Sequence, residues 1–372
     1  MSDRCTIGVI FGGRSGEHEV SLVSATSIME ALPPERFEVV PIGISKDGKW
    51  YAGDGVMDFL KRGRSTGHVY PATLSADNEG GILTWDGGRR SIRLDVVFPV
   101  LHGPYGEDGT VQGLLDLAGV PYVGCGVLAS AVAMDKVVSK EIFIARGLPT
   151  APYVWFFASE WRRDNGAITR RIEQSLTYPL FIKPANMGSS VGIFKVKDRD
   201  ELTAHVPESA RYDRKVVVEQ AVADAREIEV SVLGNDRPVA SVPGEIIPSN
   251  EFYDYDAKYV DGKSKDAIPA DLPEQTAEEI RRLALEAFSA VDGAGLARVD
   301  FLVSRGDDRV FLNELNTLPG FTSISMYPKL WAASGLPYPD LLARLVDLAM
   351  ERHREKQELL TSYQPKSDWH KG

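Results

Sequence analysis

The sequence is poor in cysteine and carries no excess of basic residues. Cys5 and Cys125 are the only cysteines among its 372 residues, so it has neither a disulfide framework nor the cysteine spacing of a zinc site. We therefore expect a reducing, cytoplasmic setting. Acidic residues outnumber basic ones by 53 to 42, and the formal net charge is −11. This balance argues against broad contact with nucleic acid or an anionic membrane, but not against a local cationic pocket.

Long hydrophobic runs are lacking too. The apolar stretch near the start stops at Gly12, which makes it too short for the apolar region of a secretory signal. Residues 117–134 carry no charge over 18 positions, but three glycines and Pro121 interrupt them. For 117–134 we expect a buried strand, a loop and the start of a helix, not a membrane span.

Length and patterning together predict several domains. A chain of this size with 43% hydrophobic and 26% charged residues suits two or three folded domains. We predict an α/β sheet domain over 1–134, followed by two α+β units over 135–226 and 227–372. Loop 248–273 is aromatic and lacks a sustained apolar period, which favours a functional lid over a disordered segment. Strands are predicted at 6–11, 39–44, 94–100, 178–183, 191–196, 227–233, 296–303 and 310–316, and helices near 22–32 and 341–352.

Two segments resemble nucleotide-binding motifs, but neither has the glycine spacing that its motif requires. Residues 12–16 read Gly-Gly-Arg-Ser-Gly, which lacks the glycine spacing of a dinucleotide-binding turn. Residues 262–264 resemble the end of a phosphate-binding P-loop, but the glycine required at 257 is replaced by Ala257. Any nucleotide must therefore be held by another arrangement.

A predicted hairpin near the C-terminus carries the strongest cluster of polar residues. If it is centred on residue 307, Asp300 lies opposite Glu314 and Arg298 opposite Asn316, with all four side chains on one face. Two carboxylates and an amide supply oxygen ligands suited to Mg²⁺, and Arg298 adds a fixed cation for charge that develops during a reaction.

The simpler interpretation of this hairpin is a solvated sheet face with cross-strand charge pairs. The residues directly after it favour the metal site. Segment 317–323, Thr-Leu-Pro-Gly-Phe-Thr-Ser, is a turn that presents backbone donors and hydroxyls at the end of the same strand. We therefore predict a metal–phosphate site.

Six motifs, taken together, resemble those of the D-alanine–D-alanine ligases, which belong to the ATP-grasp superfamily. Each alone is weak, but they occur in the order and spacing of the family and span nearly the whole chain. They are Gly16-Glu17-His18-Glu19-Val20-Ser21, Leu101-His102-Gly103 with Gly106-Glu107-Asp108-Gly109, Met134-Asp135-Lys136, Lys183-Pro184 with Gly188-Ser189-Ser190-Val191-Gly192, Phe252-Tyr253-Asp254-Tyr255, and Asn316-Thr317-Leu318-Pro319-Gly320.

The resemblance implies a fold, a reaction and partners. The fold is a pre-ATP-grasp α/β domain followed by the two α+β units of an ATP-grasp fold. ATP phosphorylates the carboxylate of one D-alanine, and the amine of a second D-alanine attacks the acyl phosphate, yielding a precursor of peptidoglycan. Two Mg²⁺ or Mn²⁺ ions and a homodimer are implied by the resemblance as well.

The resemblance also implies site residues, each of which has a plainer structural alternative such as a helix-start acid, a turn serine or a surface lysine. For D-alanine they are Glu17, His102, Ser189, Tyr259, Arg298, Gly320 and Ser325, of which Glu17, Ser189, Arg298 and Ser325 are counted as catalytic. For ATP they are Lys136, Lys183, Ser189, Glu219, Ala221, Val222, Glu227 and Lys258, and for the metal Asp300, Glu314 and Asn316.

Two other functions stay open at this point. One is another ATP-grasp ligase, such as a relative that makes D-alanyl-D-lactate. In those relatives the lid aromatic is replaced by histidine, so Tyr259 favours an amine acceptor. The other is a non-catalytic nucleotide-binding regulator, which would have no need to retain Arg298, Asp300, Glu314 and Asn316 together.

Overall fold

The computed structural model describes residues 4–77, 80–247 and 265–362, and three separate β-sheets organise them. The strands are β1 (Cys5–Gly12), β2 (Phe37–Ile44), β3 (Trp50–Ala52), β4 (Tyr70–Leu74), β5 (Ile82–Trp85), β6 (Arg90–Arg93), β7 (Val96–Val100), β8 (Tyr153–Phe157), β9 (Leu180–Pro184), β10 (Phe194–Val196), β11 (Lys215–Gln220), β12 (Ala225–Gly234), β13 (Val239–Ala240), β14 (Gly244–Ile247), β15 (Lys265–Ala267), β16 (Gly295–Ser304) and β17 (Val310–Asn316). The helices are α1 (His18–Ala31), α2 (Val56–Arg62), α3 (Thr110–Leu117), α4 (Val127–Met134), α5 (Lys136–Ala145), α6 (Ala158–Arg163), α7 (Asn165–Ser175), α8 (Arg199–Ser209), α9 (Glu274–Ala290), α10 (Met326–Ala333) and α11 (Tyr338–Gln357).

The first sheet contains seven strands in the order β6-β5-β4-β3-β2-β1-β7. Strand β1 is parallel to both of its neighbours, β2 and β7, and the remaining pairs are antiparallel. Strand β1 is buried from its third residue to its end, which explains its almost continuous apolar sequence. The predicted strands 6–11, 39–44 and 94–100 and the helix that follows the first of them are confirmed.

The second sheet is antiparallel and contains four strands in the order β10-β9-β11-β8. Its core is closed by α7 and α8, whose buried residues Ile172, Leu202 and Val206 pack against the strands. The predicted strands 178–183 and 191–196 correspond to β9 and β10, which are antiparallel, with Ile182 opposite Phe194. Strand β10 is shorter than predicted and starts only at Phe194.

The third sheet is also antiparallel, with the order β15-β14-β12-β16-β17 and β13 beside β12. In the predicted hairpin Arg298 faces Asn316 and Asp300 faces Glu314, as expected. A β-bulge follows Asp300, so that Phe301 faces Leu312 and the symmetric register ends there. The bulge inserts one extra residue, Asn313, into β17.

The C-terminal helix returns to the first sheet instead of packing within its own part of the chain. Leu341 and Leu345 of α11 are fully buried in one core with Ile7 and Val9 of β1. Arg352 near the end of α11 donates hydrogen bonds to the carbonyls of Tyr122, at 3.2 Å, and Gly124. The domain limits 1–134, 135–226 and 227–372 stay predictions, and this packing joins the first and the last of them.

Two sequence expectations need correction. Residues 117–134 end α3, form a loop and build α4, but the expected strand is wrong: Tyr122 makes only an isolated bridge to Val97. In the described part of the chain no helix combines the length and the apolarity that a membrane crossing requires. Much of the predicted lid, 248–264, lies outside the described residues. Of the rest, 265–267 form β15 instead of a loop, whereas 268–273 form neither a helix nor a strand.

The turn after β1 depends on Gly12, and its replacement should destabilise the protein. Gly12 has a φ of +93°, and a Cβ placed on it would lie 2.1 Å from the Ile44 carbonyl oxygen. Both effects disfavour a side chain, so we expect Gly12→Ala to lower the free energy of unfolding by about 3 kcal/mol. Chemical denaturation followed by circular dichroism measures this change.

Gly16→Ala is the matched control, because a Cβ on Gly16 would meet no atom within 4 Å. Its free energy of unfolding should stay within about 0.5 kcal/mol of the wild-type value. Equal destabilisation by the two substitutions would contradict the steric explanation.

Candidate active site

One cavity is lined by residues from all three predicted units. Lys258 and Tyr259 lie outside the described residues, but every other predicted site residue lines this cavity. From the first unit come Glu17 and His102; from the second come Lys136, Lys183, Ser189, Glu219, Ala221 and Val222; from the third come Glu227, Arg298, Asp300, Glu314, Asn316, Gly320 and Ser325.

Arg298 is held between two carboxylates on the face of the third sheet. Its Nε and Nη2 donate to the two oxygens of Asp300, each at 2.7 Å, and its Nε lies 3.1 Å from Oε2 of Glu229. Burial alone lowers the pKa of Arg298, but the two carboxylates outweigh it and raise the pKa well above the usual value. The result is a fixed guanidinium that lines the cavity and stays charged there.

Glu229 is a cavity residue that the sequence did not indicate. It faces Asp300 across β12 and β16, and Asp300 faces Glu314 across β16 and β17, so three carboxylates form one row across three strands. The hairpin could be registered from the sequence because its strands are consecutive. The pairing of β12 with β16 spans more than sixty residues of chain, and no local signal fixes its register.

The bulge in β17 places a second missed residue in the cavity. Asn313 precedes Glu314, so strict alternation would turn its side chain to the opposite face. Because the bulge breaks the alternation, Asn313 lines the cavity and its Oδ1 accepts a hydrogen bond from Lys183 at 3.4 Å. A bulge of this kind has no clear sequence signature here, which is why Asn313 was missed.

A buried ion cluster lies beneath the Gly-rich loop of the second sheet. Lys183 Nζ donates to Oε2 of Glu219 at 2.8 Å, and Lys140 Nζ lies 3.3 Å from Oε1 of the same carboxylate. Burial disfavours the charged form of Glu219, but the two lysines outweigh it and lower the pKa of Glu219 to about 2. Burial lowers the pKa of Lys140, whereas the attraction of Glu219 for Lys183 leaves that pKa raised.

Lys136 enters the cavity from the first turn of α5. The Asp135 side chain caps this helix by accepting from the amides of Val137 at 3.1 Å and Val138 at 3.2 Å, which fixes the position of Lys136. Lys136 Nζ donates to the Met187 carbonyl at 2.7 Å and lies 3.5 Å from Oε2 of Glu314. Lys136 therefore bridges the second and third sheets.

Glu17 and Ser189 meet across two units. Glu17 precedes α1 but makes no capping hydrogen bond with its side chain; instead its Oε1 accepts a short hydrogen bond from Ser189 Oγ. A Cβ on Gly103 or on Gly188 would come within 3.1 or 3.2 Å of Glu17 Oε2, so both glycines leave room for the carboxylate. The resemblance implied that Glu17, Ser189 and Tyr259 belong to one site. Glu17 and Ser189 are in contact, and Tyr259 lies outside the described residues.

The loop that carries Ser189 has an unusual backbone. Ser189 and Ser190 have φ values of +48° and +58°, a left-handed conformation that is uncommon for residues other than glycine. Two such residues in succession persist only where the surroundings impose them, and they concentrate at ligand-binding loops. Successive backbone amides in loops of this kind can form a concave site for an anion.

His102 is buried and oriented from one side of its ring. Its Nδ1 lies 3.1 Å from the Leu318 carbonyl oxygen and 3.5 Å from Oε1 of Glu107, another cavity residue that was not predicted to function. Burial lowers the pKa of His102, but the nearby Glu107 and Glu17 carboxylates reverse the shift and raise it. Within the described structure Nε2 has no hydrogen-bond partner.

The turn after β17 presents the remaining polar groups. Asn316 Oδ1 accepts from the Leu318 amide at 3.1 Å, and Ser325 Oγ accepts from the Thr322 amide at 3.0 Å. A Cβ on Gly320 would lie 2.7 Å from Ser325 Oγ, so only glycine allows this close approach. Here the backbone itself borders the cavity.

Ala221 and Val222 lie in the connection between the second and third sheets, where β11 ends and β12 begins. The Ala221 amide is already used by the Pro179 carbonyl, at 3.1 Å. The side chain of Glu227, at the start of β12, is half-buried and lines the same end of the cavity. Ala221, Val222 and Glu227 therefore all border the cavity.

The donor set fits a hard divalent cation. Among the described residues no group of three or more His, Cys, Asp or Glu side chains forms a metal cage. Mg²⁺ does not require one, because it is usually held by one or two carboxylates together with water and substrate phosphates. Asp300, Glu314 and Asn316 supply carboxylate and amide oxygens on adjacent strands, as such a site needs.

Two family models and curated relatives match most of this chain. The family models described as D-ala D-ala ligase N-terminus and D-ala D-ala ligase C-terminus match residues 6–125 and 142–347. A D-alanine–D-alanine ligase from Heliobacterium modesticaldum is 52% identical over 367 residues, covering 97% of this chain and 99% of that protein.

Solved structures agree with the sequence comparisons. The D-alanine–D-alanine ligase from Coxiella burnetii superposes with a TM-score of 0.82 at 38% identity, covering 96% of this chain and 97% of its own. The VanG D-Ala:D-Ser ligase from Enterococcus faecalis gives a TM-score of 0.83 at 36% identity, covering 93% of this chain and 100% of its own. The predicted fold class, an α/β domain with two ATP-grasp units, is confirmed.

Because of Glu219, the free energy of unfolding should depend measurably on pH. Its pKa falls from 4.5 to about 2 in the folded state, so its ionised form stabilises the fold above pH 4.5, and this contribution is lost as the pH falls towards 2. We expect the free energy of unfolding to fall less steeply between pH 5 and pH 3 in Glu219→Gln than in the wild type. Urea denaturation at several pH values measures both slopes.

Glu286→Gln serves as a control, because Glu286 is an exposed carboxylate that pairs only with Arg282 of its own helix in the described structure. Its slope should follow the wild-type slope. Identical slopes for wild type and Glu219→Gln would show that Glu219 is not held in its ionised form.

Proposed function

This chain belongs to the D-alanine–D-alanine ligase family, and on that premise we propose that it joins two D-alanine molecules at the expense of ATP for peptidoglycan synthesis. One observation carries the assignment of residues: every predicted site residue in the described part of the chain lines one cavity. The roles that follow are proposed from that arrangement and from the family resemblance.

The first D-alanine binds beside the first unit. Its ammonium pairs with Glu17, whose carboxylate has room between Gly103 and Gly188. His102 orients the same substrate from a buried position, because Glu107 and the Leu318 carbonyl hold its Nδ1 side. Ser189 ties the Gly-rich loop to Glu17 and so couples the phosphate loop to the bound amino acid.

ATP occupies the opposite end of the cavity. Glu219, Ala221 and Val222 contact the adenine, and Glu227 accepts hydrogen bonds from the ribose hydroxyls. Lys136 and Lys183 pair with the phosphates, while the amides at Ser189 cover them. Lys258, from the segment that the structure does not describe, adds a further phosphate contact.

Asp300, Glu314 and Asn316 hold the divalent cations, which we propose to be two Mg²⁺ or Mn²⁺ ions. When bound, these ions neutralise charge on the phosphates and orient the transferred group. Arg298 already donates to both oxygens of Asp300. Asp300 can therefore bind a cation only by sharing its oxygens between that cation and Arg298. Glu229 remains at 3.1 Å from the guanidinium and keeps Arg298 in place.

The reaction proceeds in two steps. The carboxylate oxygen of the first D-alanine attacks the γ-phosphorus, the bond to the β-phosphate oxygen breaks, and ADP leaves. The amine of the second D-alanine then attacks the acyl carbon, loses a proton, and phosphate departs as the peptide bond forms. Arg298 and the Gly320 amide stabilise the tetrahedral oxyanion, and Ser325 holds the carboxylate of the second D-alanine.

The two alternative functions are less well supported. A non-catalytic regulator would not need Arg298 buried between Asp300 and Glu229 beside Glu314. The choice of acceptor depends on the second-substrate site. That site includes Tyr259, which lies outside the described residues. We further propose a cytoplasmic location and a homodimer, both from the family resemblance.

The reaction itself is tested with purified protein, ATP and Mg²⁺. We expect D-alanine to trigger release of ADP and phosphate with formation of the dipeptide, identified by mass spectrometry, and L-alanine to trigger neither. Competition among D-alanine, D-serine and D-lactate as second substrates, measured across pH, establishes the acceptor. Nucleotide hydrolysis or binding without any D-alanyl product would sink the proposal.

Removal of one metal carboxylate should affect activity far more than folding. We expect Glu314→Gln to lower kcat by about 100-fold, the scale typical of losing one electrostatic contact at a reaction centre. Its melting temperature should stay near the wild-type value, because Glu314 is only partly buried and lies at the open face of the hairpin. Steady-state kinetics and thermal denaturation are measured on the same preparation.

Asp307→Asn is the matched control, since Asp307 is a carboxylate of the same hairpin but lies at its exposed turn, paired with Arg309. It should change neither kcat nor the metal requirement. Parallel losses of activity and stability in Glu314→Gln would instead favour a purely structural hairpin.

A further inference from the structure

Lys140 is a buried lysine that no motif assigned to the site. It follows Lys136 by one turn of α5, and only 1% of its surface is exposed. A buried ammonium is strongly unfavourable unless it is paired, so its contacts indicate what it does. Lys140 does not line the cavity, which means that it acts through another residue.

The contacts of Lys140 converge on one carboxylate and one backbone group. Its Nζ lies 3.3 Å from Oε1 of Glu219 and donates to the carbonyl of Asn313 at 3.4 Å. The other oxygen of Glu219, Oε2, accepts from Lys183 at 2.8 Å. Two lysines therefore hold opposite oxygens of a single carboxylate, one from behind the cavity and one from within it.

The charges do not balance within this cluster, because two ammonium groups share one carboxylate. If Lys183 turns towards a phosphate, Glu219 would be left as a buried anion without a cation unless a second one stays in place. We propose that Lys140 is a positioning residue that holds Glu219 from behind, so that Lys183 can exchange Glu219 for the nucleotide phosphate. This inference rests on the proposed ATP site.

The electrostatics agree with this role. Burial raises the pKa of Glu219, but the charges of Lys140 and Lys183 and their contacts with the carboxylate overcome it and lower the pKa to about 2. A lysine that served only to anchor α5 to β17 would require the Asn313 carbonyl alone. If Lys140 positions Glu219, the effect of removing Lys140 depends on Glu219. If Lys140 only anchors α5, it does not.

The test measures binding of a non-hydrolysable ATP analogue by calorimetry in the absence of D-alanine. Lys140→Met keeps the length of the aliphatic stem and fills the same buried space without the charge. We expect its dissociation constant for the analogue to rise about tenfold, because among the described residues Lys183 is then the only cation paired with Glu219. Should this variant not fold, Lys140→Gln takes its place with the same expected weakening.

Lys215→Met is the matched control. Lys215 is also a buried lysine paired with a carboxylate, that of Asp135, but it does not line the cavity. Asp135 still caps α5 through the amides of Val137 and Val138. We expect a lower melting temperature for this variant with an unchanged dissociation constant for the analogue.

A double-mutant cycle completes the test. In the Glu219→Gln background, Lys140→Met should change the dissociation constant by less than about twofold, because the carboxylate it positions is gone. An undiminished effect in that background, an equal weakening in Lys215→Met, or wild-type affinity in Lys140→Met would each overturn the inference. A wild-type protein that binds the analogue but makes no D-alanyl dipeptide would defeat the proposed reaction and leave this inference standing.

Discussion

Arg298 shares its guanidinium between Asp300 and Glu229, and the cavity is built around this buried charge. The three side chains come from two adjacent strands of the third sheet, and Glu314 extends the row of carboxylates to a third strand. Neighbouring carboxylates in such a row repel one another unless cations lie beside them. Arg298 supplies one cation from within the sheet and Lys136 supplies another from α5. The row of carboxylates therefore depends on α5 lying beside the third sheet.

The same requirement operates between the second and third sheets. Lys183 and Glu219 belong to the second sheet, but Lys183 also reaches Asn313 of the third. Glu17 of the first unit is tied to Ser189 of the second. Each unit thus places at least one charged or polar group on a partner from another unit. The overall charge of −11 does not describe this interior, where lysines and arginine meet the carboxylates at short range.

Contacts between neighbouring segments of the chain could be predicted from the sequence. The hairpin register at Asp300 and Glu314 followed from side-chain alternation and a turn near residue 307. The bulge at Asn313 and the burial of Lys140 could not be predicted, because both depend on packing between distant segments. Glu229 was missed for a related reason, since its strand pairs with one that follows much later in the chain. The family resemblance named contact residues, but it did not indicate the residues behind them.

The return of α11 to the first sheet has a mechanical consequence. The first and third units share one core. Among the described residues, no strand of the second sheet pairs with a strand of the other two sheets. The chain passes into that sheet through residues 146–152 and out of it through residues 221–224. A rotation about these two crossings would move Ser189 away from Glu17 and Lys183 away from Asn313. It would leave the strand pairs within each described sheet intact.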